Sequence, residues 1–212
     1  MEEIVKGVYR LQPAEATPTR YVGLLAARKL GILLFPTKST SGWIKKNADA
    51  IEALGTVSKM LICDMHYKDR SFDDLTKRFG AFTYCSDVEG PDVAKSLKAF
   101  RTFPFKRHKL EPDFEVIPAP GHRPGAACFL LTLKDSKVLF SGDVVFTDGK
   151  TGAAFPKSGA TKQMKETLDM LAGLDFDLLV CNGPSSVPQC SIKLPTPAKR
   201  KAFFKAIADK LA

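Results

Sequence analysis

The chain of 212 residues lacks the long apolar runs that mark membrane proteins. No stretch approaches the roughly 18–20 consecutive apolar residues that a helix needs to cross a bilayer, so no membrane partner is expected. The first residues read MEEIVK and do not have the basic start and apolar stretch of a secretory signal. The sequence therefore predicts a protein that is neither inserted in a membrane nor secreted.

Cysteine is present but is not arranged for metal or redox chemistry. The five cysteines, at positions 63, 85, 128, 181 and 190, are odd in number and scattered. No two of them have the close spacing of a zinc knuckle or a redox motif. Three lie in apolar, strand-like runs, where cysteine usually acts as a small buried hydrophobe. These features predict a reducing, cytoplasmic compartment.

Acidic residues are in the minority, with 23 Asp and Glu against 32 Lys and Arg, which gives a net charge of +9. The basic residues are spread along the chain, with one tight cluster at Lys199-Arg200-Lys201. The chain has no aromatic-rich basic motif, so nucleic acid is not expected as a partner. A plain solvated surface and an attraction for a small anionic ligand both remain open.

Apolar periodicity predicts several of the helices and strands. Apolar residues recur at steps of three and four in Ile44–Leu54, which predicts an amphipathic helix. Ile4–Leu11 predicts one strand, with Gly7 as a candidate bulge. Thr196, followed by proline, predicts the start of a final helix. Asp92–Phe100 is compatible with a helix, and the rest of residues 87–112 is expected to be loop.

The order of these elements predicts the architecture. The length suits one hydrophobic core, so we predict a single domain over residues 1–212. Strand pairs are followed by strand–helix units, then by strands and helices again. Two such halves packed sheet to sheet with helices outside give an α/β fold, a four-layer αββα sandwich.

Histidine is scarce, since only His66, His108 and His122 are present. His66 and His122 lie in loops that directly follow short strands, where α/β proteins assemble their sites. The loop around His122 reads PAPGHRPG, and its prolines and glycines indicate a tight, rigid turn. The strand VLFSG ends at Asp143, which places a carboxylate at the end of that strand. Each feature alone is also typical of an ordinary turn.

Taken together, these two features resemble a known family. The segment PGHRPG, then a hairpin, then FSGDVVF is similar to the second and third motifs of the metallo-β-lactamase superfamily. The strand at Gly7–Leu11 and the later strand–helix–strand order also follow the family's sequence, so the resemblance covers nearly the whole chain. It implies the αββα sandwich and a metal site at the strand ends.

The family's principal metal-binding loop, His-x-His-x-Asp-His, is altered here to DMHYKDR. In an alignment without a gap, Asp64 replaces the first histidine, His66 is retained, Lys68 replaces the aspartate and Asp69 replaces the last histidine. A one-residue insertion would instead place Asp69 on the aspartate and Arg70 on the last histidine. The sequence leaves both alignments open.

The resemblance implies that one metal set survives. Asp64, His66, His122 and Asp143 supply two imidazoles and two carboxylates, a sound donor set for one Zn, Fe or Mn ion. Binding of no metal is the alternative. Asn182 occupies the place of the family's final histidine, and an amide is a weak ligand.

The same comparison predicts that the ligands of a second metal are mostly replaced. The ammonium group of Lys68 has no lone pair to donate, so at most one metal is expected. Lys68 and Asn182 are instead predicted to bind substrate. The other reading of the Asn182–Gly183 pair is a structural turn. Asp69 is open to two readings as well, a catalytic base and a cap for the helix that starts near Ser71.

Two functions follow from the resemblance. The first is a metallohydrolase-like enzyme that acts on a small anionic ester, thioester or phosphoester held in the cleft, with Asp69 or Asp143 as the base. The second is a catalytically inactive member of the fold with a binding or scaffolding role. The sequence predicts neither the substrate nor the oligomeric state.

Overall fold

A computed structural model of the protein describes residues 1–13 and 15–211. The chain forms two compact units, the first comprising Met1–Phe103 with Pro184–Val187 and the second comprising Pro104–Gly183 with Pro188–Ala212. The single domain over residues 1–212 stays a prediction. Among the described residues, no helix is both long and apolar enough to cross a membrane.

The first unit is built on a seven-stranded sheet in which each strand lies beside the next one along the chain. In chain order the strands are β1 (Glu2–Val5), β2 (Val8–Leu11), β3 (Gly23–Ala26), β4 (Ile32–Phe35), β5 (Val57–Leu61), β6 (Thr83–Ser86) and β7 (Phe100–Phe103). Strands β1 to β4 pair antiparallel, whereas β4 to β7 run parallel. The carboxyl ends of β4 to β7 therefore lie at one edge of this sheet.

The predicted first strand is a hairpin in the structure. Strands β1 and β2 pair across a two-residue turn at Lys6 and Gly7, with Val5 opposite Val8. Gly7 has a φ of +82°, and its carbonyl accepts a hydrogen bond from the Ala27 N–H at 2.7 Å. The prediction of one bulged strand was therefore wrong, because Gly7 supplies the left-handed conformation that a tight turn needs.

The first unit carries four short helices, α1 (Ser41–Lys46), α2 (Ala48–Glu52), α3 (Phe72–Phe79) and α4 (Gly90–Val93). The predicted Ile44–Leu54 helix is divided between α1 and α2 at Asn47, whose side-chain amide donates to the Trp43 carbonyl at 2.8 Å. Its apolar face is nevertheless correct, because Ile44 and Ile51 are buried. The compatible helix at Asp92–Phe100 is not found, since α4 ends at Val93.

The second unit contains a six-stranded sheet and a small two-stranded sheet. The strands are β8 (His108–Glu111), β9 (Phe114–Pro118), β10 (Ala127–Thr132), β11 (Lys137–Gly142), β12 (Phe146–Thr147), β13 (Gly152–Ala153), β14 (Leu178–Cys181) and β15 (Ser191–Lys193). The larger sheet has the order β15-β14-β11-β10-β9-β8, and β12 pairs with β13. Both β9 and β11 pair antiparallel to β10, while β14 is parallel to β11. The carboxyl ends of β9, β11 and β14 therefore lie at one edge.

Strands β7 and β8 were missed in the region that was expected to be loop. Each lies at an end of the strand order of its sheet. The residues of β7 read FRTF and those of β8 read HKLE, and most of them are exposed or half-buried. Strands in such positions carry polar residues on exposed surfaces, so they lack the apolar run or clean alternation by which a strand is recognised.

Helices α5 (Thr161–Ala172) and α6 (Pro197–Ala208) complete the second unit. Their apolar faces belong to one buried cluster with residues of β9 to β11 and β14. The predicted start of α6 is confirmed, because the Thr196 side chain accepts a hydrogen bond from the Lys199 N–H at 3.3 Å. Met164 and Leu168 of α5 and Phe203 of α6 are buried in this cluster.

The basic cluster Lys199-Arg200-Lys201 is only partly a surface feature. Lys199 and Lys201 are exposed, whereas Arg200 is 4 % exposed. Its Nη1 donates to the Phe176 carbonyl at 2.8 Å and to the Leu194 carbonyl at 3.3 Å. The guanidinium group also lies 5.6 Å from the centre of the Phe176 ring. Arg200 therefore ties α6 to the chain around β14 and β15.

We expect Arg200→Met to lower the free energy of unfolding by about 2–4 kcal/mol, because two buried carbonyls lose a charged donor. Urea unfolding followed by circular dichroism measures the change. Lys201→Met is the matched control, since an exposed neighbour without buried contacts should change stability by no more than about 0.5 kcal/mol. Equal effects of the two substitutions would contradict the structural role of Arg200.

Candidate metal centre

Asp64 and His66 lie just after β5, in the first unit. Asp64 is fully buried and precedes a 3₁₀ turn over Met65–Tyr67. Its Oδ1 accepts a hydrogen bond from the backbone N–H of His66 at 2.7 Å, which caps the turn. The same Oδ1 lies 3.4 Å from Nδ1 of His66, whose side chain is 45 % exposed. A buried carboxylate and a half-exposed imidazole thus face each other beyond the end of β5.

Glu89 holds this turn from the neighbouring strand. It follows β6, which is parallel to β5, and it is 3 % exposed. Its Oε2 accepts a hydrogen bond from the Met65 N–H at 3.2 Å. Sequence reasoning missed Glu89, because nothing in its local sequence distinguishes it from a surface acid. The parallel pairing of β5 and β6 is what brings it to the turn.

Lys68 and Asp69, which the family alignment leaves open, both have contacts of a structural kind. The ammonium group of Lys68 donates to the Asp92 carbonyl at 2.9 Å. Oδ1 of Asp69 accepts hydrogen bonds from the backbone N–H and the hydroxyl of Ser71, at 3.0 and 2.5 Å. Asp69 therefore holds Ser71, the residue before α3, but among the described residues no side chain accepts a capping hydrogen bond from α3, so the cap reading stays a prediction. Its role as a base and the substrate contact of Lys68 stay predictions.

The loop that carries His122, in the second unit, is fixed against α5. The Thr167 hydroxyl donates to the Pro120 carbonyl at 2.6 Å, and the Lys157 N–H donates to the Gly121 carbonyl at 2.8 Å. Gly121 has a φ of +129°, and a Cβ added there would lie 2.8 Å from Cα of Met164. Only glycine fits both the backbone conformation and the space.

One hydrogen bond determines the tautomer of His122. Its Nδ1 lies 2.7 Å from the Phe155 carbonyl oxygen. Because a carbonyl can only accept, Nδ1 carries the proton, and in the neutral ring the lone pair lies on Nε2. Nε2 lies 3.3 Å from Oδ2 of Asp143. A backbone carbonyl that orients the far nitrogen in this way is typical of histidines that bind metals.

Asp143 and Asn182 follow the parallel strands β11 and β14. Gly142 ends β11 with a φ of +57°, and the Ser141 hydroxyl donates to the Val145 carbonyl at 2.7 Å, which closes the turn around Asp143. The Asn182 N–H donates to the Gly142 carbonyl at 3.0 Å. Asp143 and Asn182 are 7 % and 5 % exposed. Parallel pairing therefore brings the two residues together, while substrate binding by Asn182 stays a prediction.

Cys128 and Cys181 are buried cysteines of this unit. Burial, with a smaller effect of the Asp143 carboxylate, raises the pKa of the Cys128 thiol. A raised pKa favours the thiol over the thiolate, which is the form that binds metals. Cys181 is fully buried as well, and its Sγ lies 3.8 Å from the Thr147 carbonyl.

The four residues predicted as ligands are all possible metal donors, and each unit contributes one pair, Asp64 with His66 in the first unit and His122 with Asp143 in the second. Donor atoms around a tetrahedral zinc ion, at about 2.0–2.1 Å from it, are separated by about 3.3–3.4 Å. The His66–Asp64 and His122–Asp143 separations are 3.4 and 3.3 Å. The donor set and its spacing therefore fit a divalent metal.

The charges at the His122–Asp143 pair also favour a bound cation. A lone pair on Nε2 of His122 facing a carboxylate oxygen at 3.3 Å is repulsive unless a proton or a cation lies with them. Both Asp143 and Asp64 are buried, and a buried carboxylate is costly unless a positive group compensates it. A divalent ion would be one such positive group.

The sequence model of the metallo-beta-lactamase superfamily matches residues 65–183, which is more than half of the chain. The chain belongs to the metallo-β-lactamase superfamily. The match includes His66, His122 and Asp143 and ends just after Asn182. No curated protein matches the sequence significantly.

Solved structures of metallo-β-lactamases share the fold. TMB-1 is 14 % identical over 97 % of this chain and 96 % of its own, with a TM-score of 0.72. MIM-2 metallo-β-lactamase is 16 % identical over 96 % of this chain and 88 % of its own, with a TM-score of 0.66. A metallo-β-lactamase from Cronobacter sakazakii, described by an HARLDQ motif, is 13 % identical over 97 % of this chain and 93 % of its own, with a TM-score of 0.64. The predicted α/β, metallo-β-lactamase-like fold is thereby confirmed.

We expect Gly121→Ala to lower the free energy of unfolding by about 2 kcal/mol or more, since the left-handed φ and the contact with α5 both oppose a side chain. Gly42→Ala is the matched control, because Gly42 lies in α1 with open space around its Cα. That substitution should stabilise the protein by about 0.5–1 kcal/mol. Thermal and urea unfolding measure both, and a neutral Gly121→Ala would show that the His122 loop is not fixed as described.

Proposed function

We propose that this member of the metallo-β-lactamase superfamily is a metallohydrolase with a mononuclear site. Asp64, His66, His122 and Asp143 would hold one divalent ion, with Zn, Fe and Mn all compatible with two imidazoles and two carboxylates. The observation that carries the proposal is the His122–Asp143 pair, whose atoms lie 3.3 Å apart and in which the Phe155 carbonyl orients Nε2 of His122. The reaction would be hydrolysis of a small anionic ester, thioester or phosphoester.

When bound, the ion would supply Lewis-acid polarisation of a carbonyl or phosphoryl oxygen and of water. The protein's own residues would orient the imidazole and accept a proton. The hydrogen bond from Nδ1 of His122 to the Phe155 carbonyl fixes the orientation of the imidazole, so Nε2 does not have to reorient to bind a metal. The Asp143 carboxylate, 10 % exposed, lies at the same point and can take a proton from an attacking water.

Asp143 is a better supported base than Asp69. Both hydrogen bonds from Ser71, the residue before α3, fall on Oδ1 of Asp69. Proton transfer to that carboxylate would weaken these two bonds. Asp143 lies 3.3 Å from His122.

A second metal is not part of the proposal. Lys68 cannot donate a lone pair, and its ammonium group is already hydrogen-bonded to the Asp92 carbonyl. Asn182 offers only an amide. The net charge of +9 supports an anionic substrate, which Lys68 and Asn182 would help to bind. We further propose a cytoplasmic location, supported by five cysteines that are all buried.

The metal site is tested by titrating chelator-treated protein with Zn²⁺, Mn²⁺ or Fe²⁺ against a chromophoric chelator. We expect one equivalent to bind. His122→Ala and Asp143→Asn should each weaken binding by about 100-fold or more, since even outer-shell partners of metal ligands are worth about 10–100-fold. His108→Ala is the matched control, because His108 faces the Lys106 carbonyl and lies outside the group of four.

The number of metal equivalents bound per protein distinguishes the mononuclear metallohydrolase from a two-metal site and from a protein without metal. Two equivalents of metal would contradict a mononuclear site. No binding of any of the three ions would contradict the metallohydrolase and favour the inactive member with a binding or scaffolding role.

Activity is tested separately with metal-loaded protein and a panel of ester, thioester and phosphoester substrates. We expect turnover of at least one class, and a loss of about 10²–10⁴-fold in kcat for Asp143→Asn at saturating metal if it acts as the base. His108→Ala should retain full activity. Stoichiometric metal binding without turnover of any class would again favour the non-catalytic role.

A further inference from the structure

Phe155 is an exposed aromatic residue beside the proposed metal ligands. Among the described residues, the exposed large apolar side chains are Met1, Leu30, Leu54, Val88, Phe155 and Met170. Phe155 has the largest exposed fraction of these, 58 %, and is the aromatic member of the set. A single exposed apolar side chain needs no explanation, so its surroundings decide whether it has a role.

The main chain of Phe155 is fixed to a metal ligand. Its carbonyl accepts the hydrogen bond from Nδ1 of His122 at 2.7 Å. The ring is therefore attached to a backbone segment that cannot move without releasing the imidazole. A side chain anchored in this way loses little freedom when a ligand packs on it, which favours binding.

A second ring lies beside the first. The centroids of Phe155 and Phe146 are 5.8 Å apart, with the ring planes at 52°. Phe146 is three residues after Asp143, and a Cβ added at Gly183 would lie 3.9 Å from its Cδ1. We call the two rings the aromatic pair. Phe155 is connected to His122 by the hydrogen bond of its carbonyl, and Phe146 is close to Asp143 in sequence.

Charged residues of both signs lie close in sequence to the aromatic pair. Lys157, two residues after Phe155, is exposed, and its N–H donates to the Gly121 carbonyl. The nearby carboxylate of Asp148 accepts hydrogen bonds from the Lys150 and Thr151 N–H groups at 2.9 and 2.7 Å. These bonds hold it in its own turn and lower its pKa, the bond from Thr151 contributing most.

We propose that the aromatic pair binds an aromatic or bulky apolar group of the substrate, whose anionic part lies at His122 and Asp143. This inference rests on the proposed metal site and names its substrate class. The substrate is an amphiphilic anion, such as an aryl or arylalkyl phosphoester or carboxylate ester, rather than a small, wholly polar compound. Phe155 is then a specificity-determining residue, because its ring contacts the part of the substrate that does not react.

The test compares two non-hydrolysable anions, benzylphosphonate and methylphosphonate, by calorimetric titration of zinc-loaded protein. We expect benzylphosphonate to bind about tenfold more tightly, since one phenyl group gains contact with two rings. Phe155→Ala should reduce this preference to about twofold or less, mainly through weaker binding of benzylphosphonate. Phe155→Leu should retain an intermediate preference, because leucine keeps apolar area but loses the ring.

Leu30→Ala is the matched control, since Leu30 is 51 % exposed in the first unit and should not alter the preference. Zinc stoichiometry is measured on every variant first. Failure of wild-type protein to bind any of Zn²⁺, Mn²⁺ and Fe²⁺ overturns the proposed function and this inference with it. Normal zinc binding with equal affinities for the two phosphonates, or with an undiminished preference in Phe155→Ala, overturns this inference alone.

Discussion

The hydrogen bond from Nδ1 of His122 to the Phe155 carbonyl determines what the other nitrogen of that ring can do. It places the lone pair of the neutral ring on Nε2, 3.3 Å from a carboxylate that is almost wholly buried. Such a pair is stable only when a proton or a metal ion compensates it. The position of the loop on α5, the left-handed Gly121 and the turn after β11 all serve to keep this contact in place.

Under the proposed function, the altered ligands are compatible with a metal site. A family member that replaces a histidine with Asp64 keeps a donor at that position and gains a negative charge. The two negative charges of two carboxylates balance the charge of one divalent ion, but not that of two, since neutral imidazoles add no charge. Replacement of further donors by Lys68 and Asn182 is then consistent with a change in metal number rather than with loss of metal chemistry.

The fold and the four possible ligands could be predicted because they depend on strong local signals. Glycine and proline around His122 and the Gly142–Asp143 turn are visible in sequence, and their family order is specific. Strands β7 and β8 could not be found, since strands at the ends of a sheet lack a buried apolar run. The hairpin at Gly7 was mistaken for a bulge because a single glycine serves both.

Contacts made by the main chain were also beyond sequence reasoning. The Phe155 carbonyl reaches His122 across 33 residues, and no residue type is needed for a carbonyl to accept. Glu89 reaches Met65 because two parallel strands are adjacent, which local pattern does not reveal. Side chains that bind metals leave a compositional signal, whereas the backbone groups that orient them do not.

The contacts of Asp69 carry a consequence for substitution at this position. In one alignment, Asp69 occupies the place of a histidine in the family's loop. Its carboxylate accepts two hydrogen bonds from Ser71, the residue before α3. Under the proposed function, histidine at this position would add an imidazole to the loop and remove two hydrogen bonds to Ser71 in the same step. A change in the number of metal ions would then also change the contacts just before a neighbouring helix.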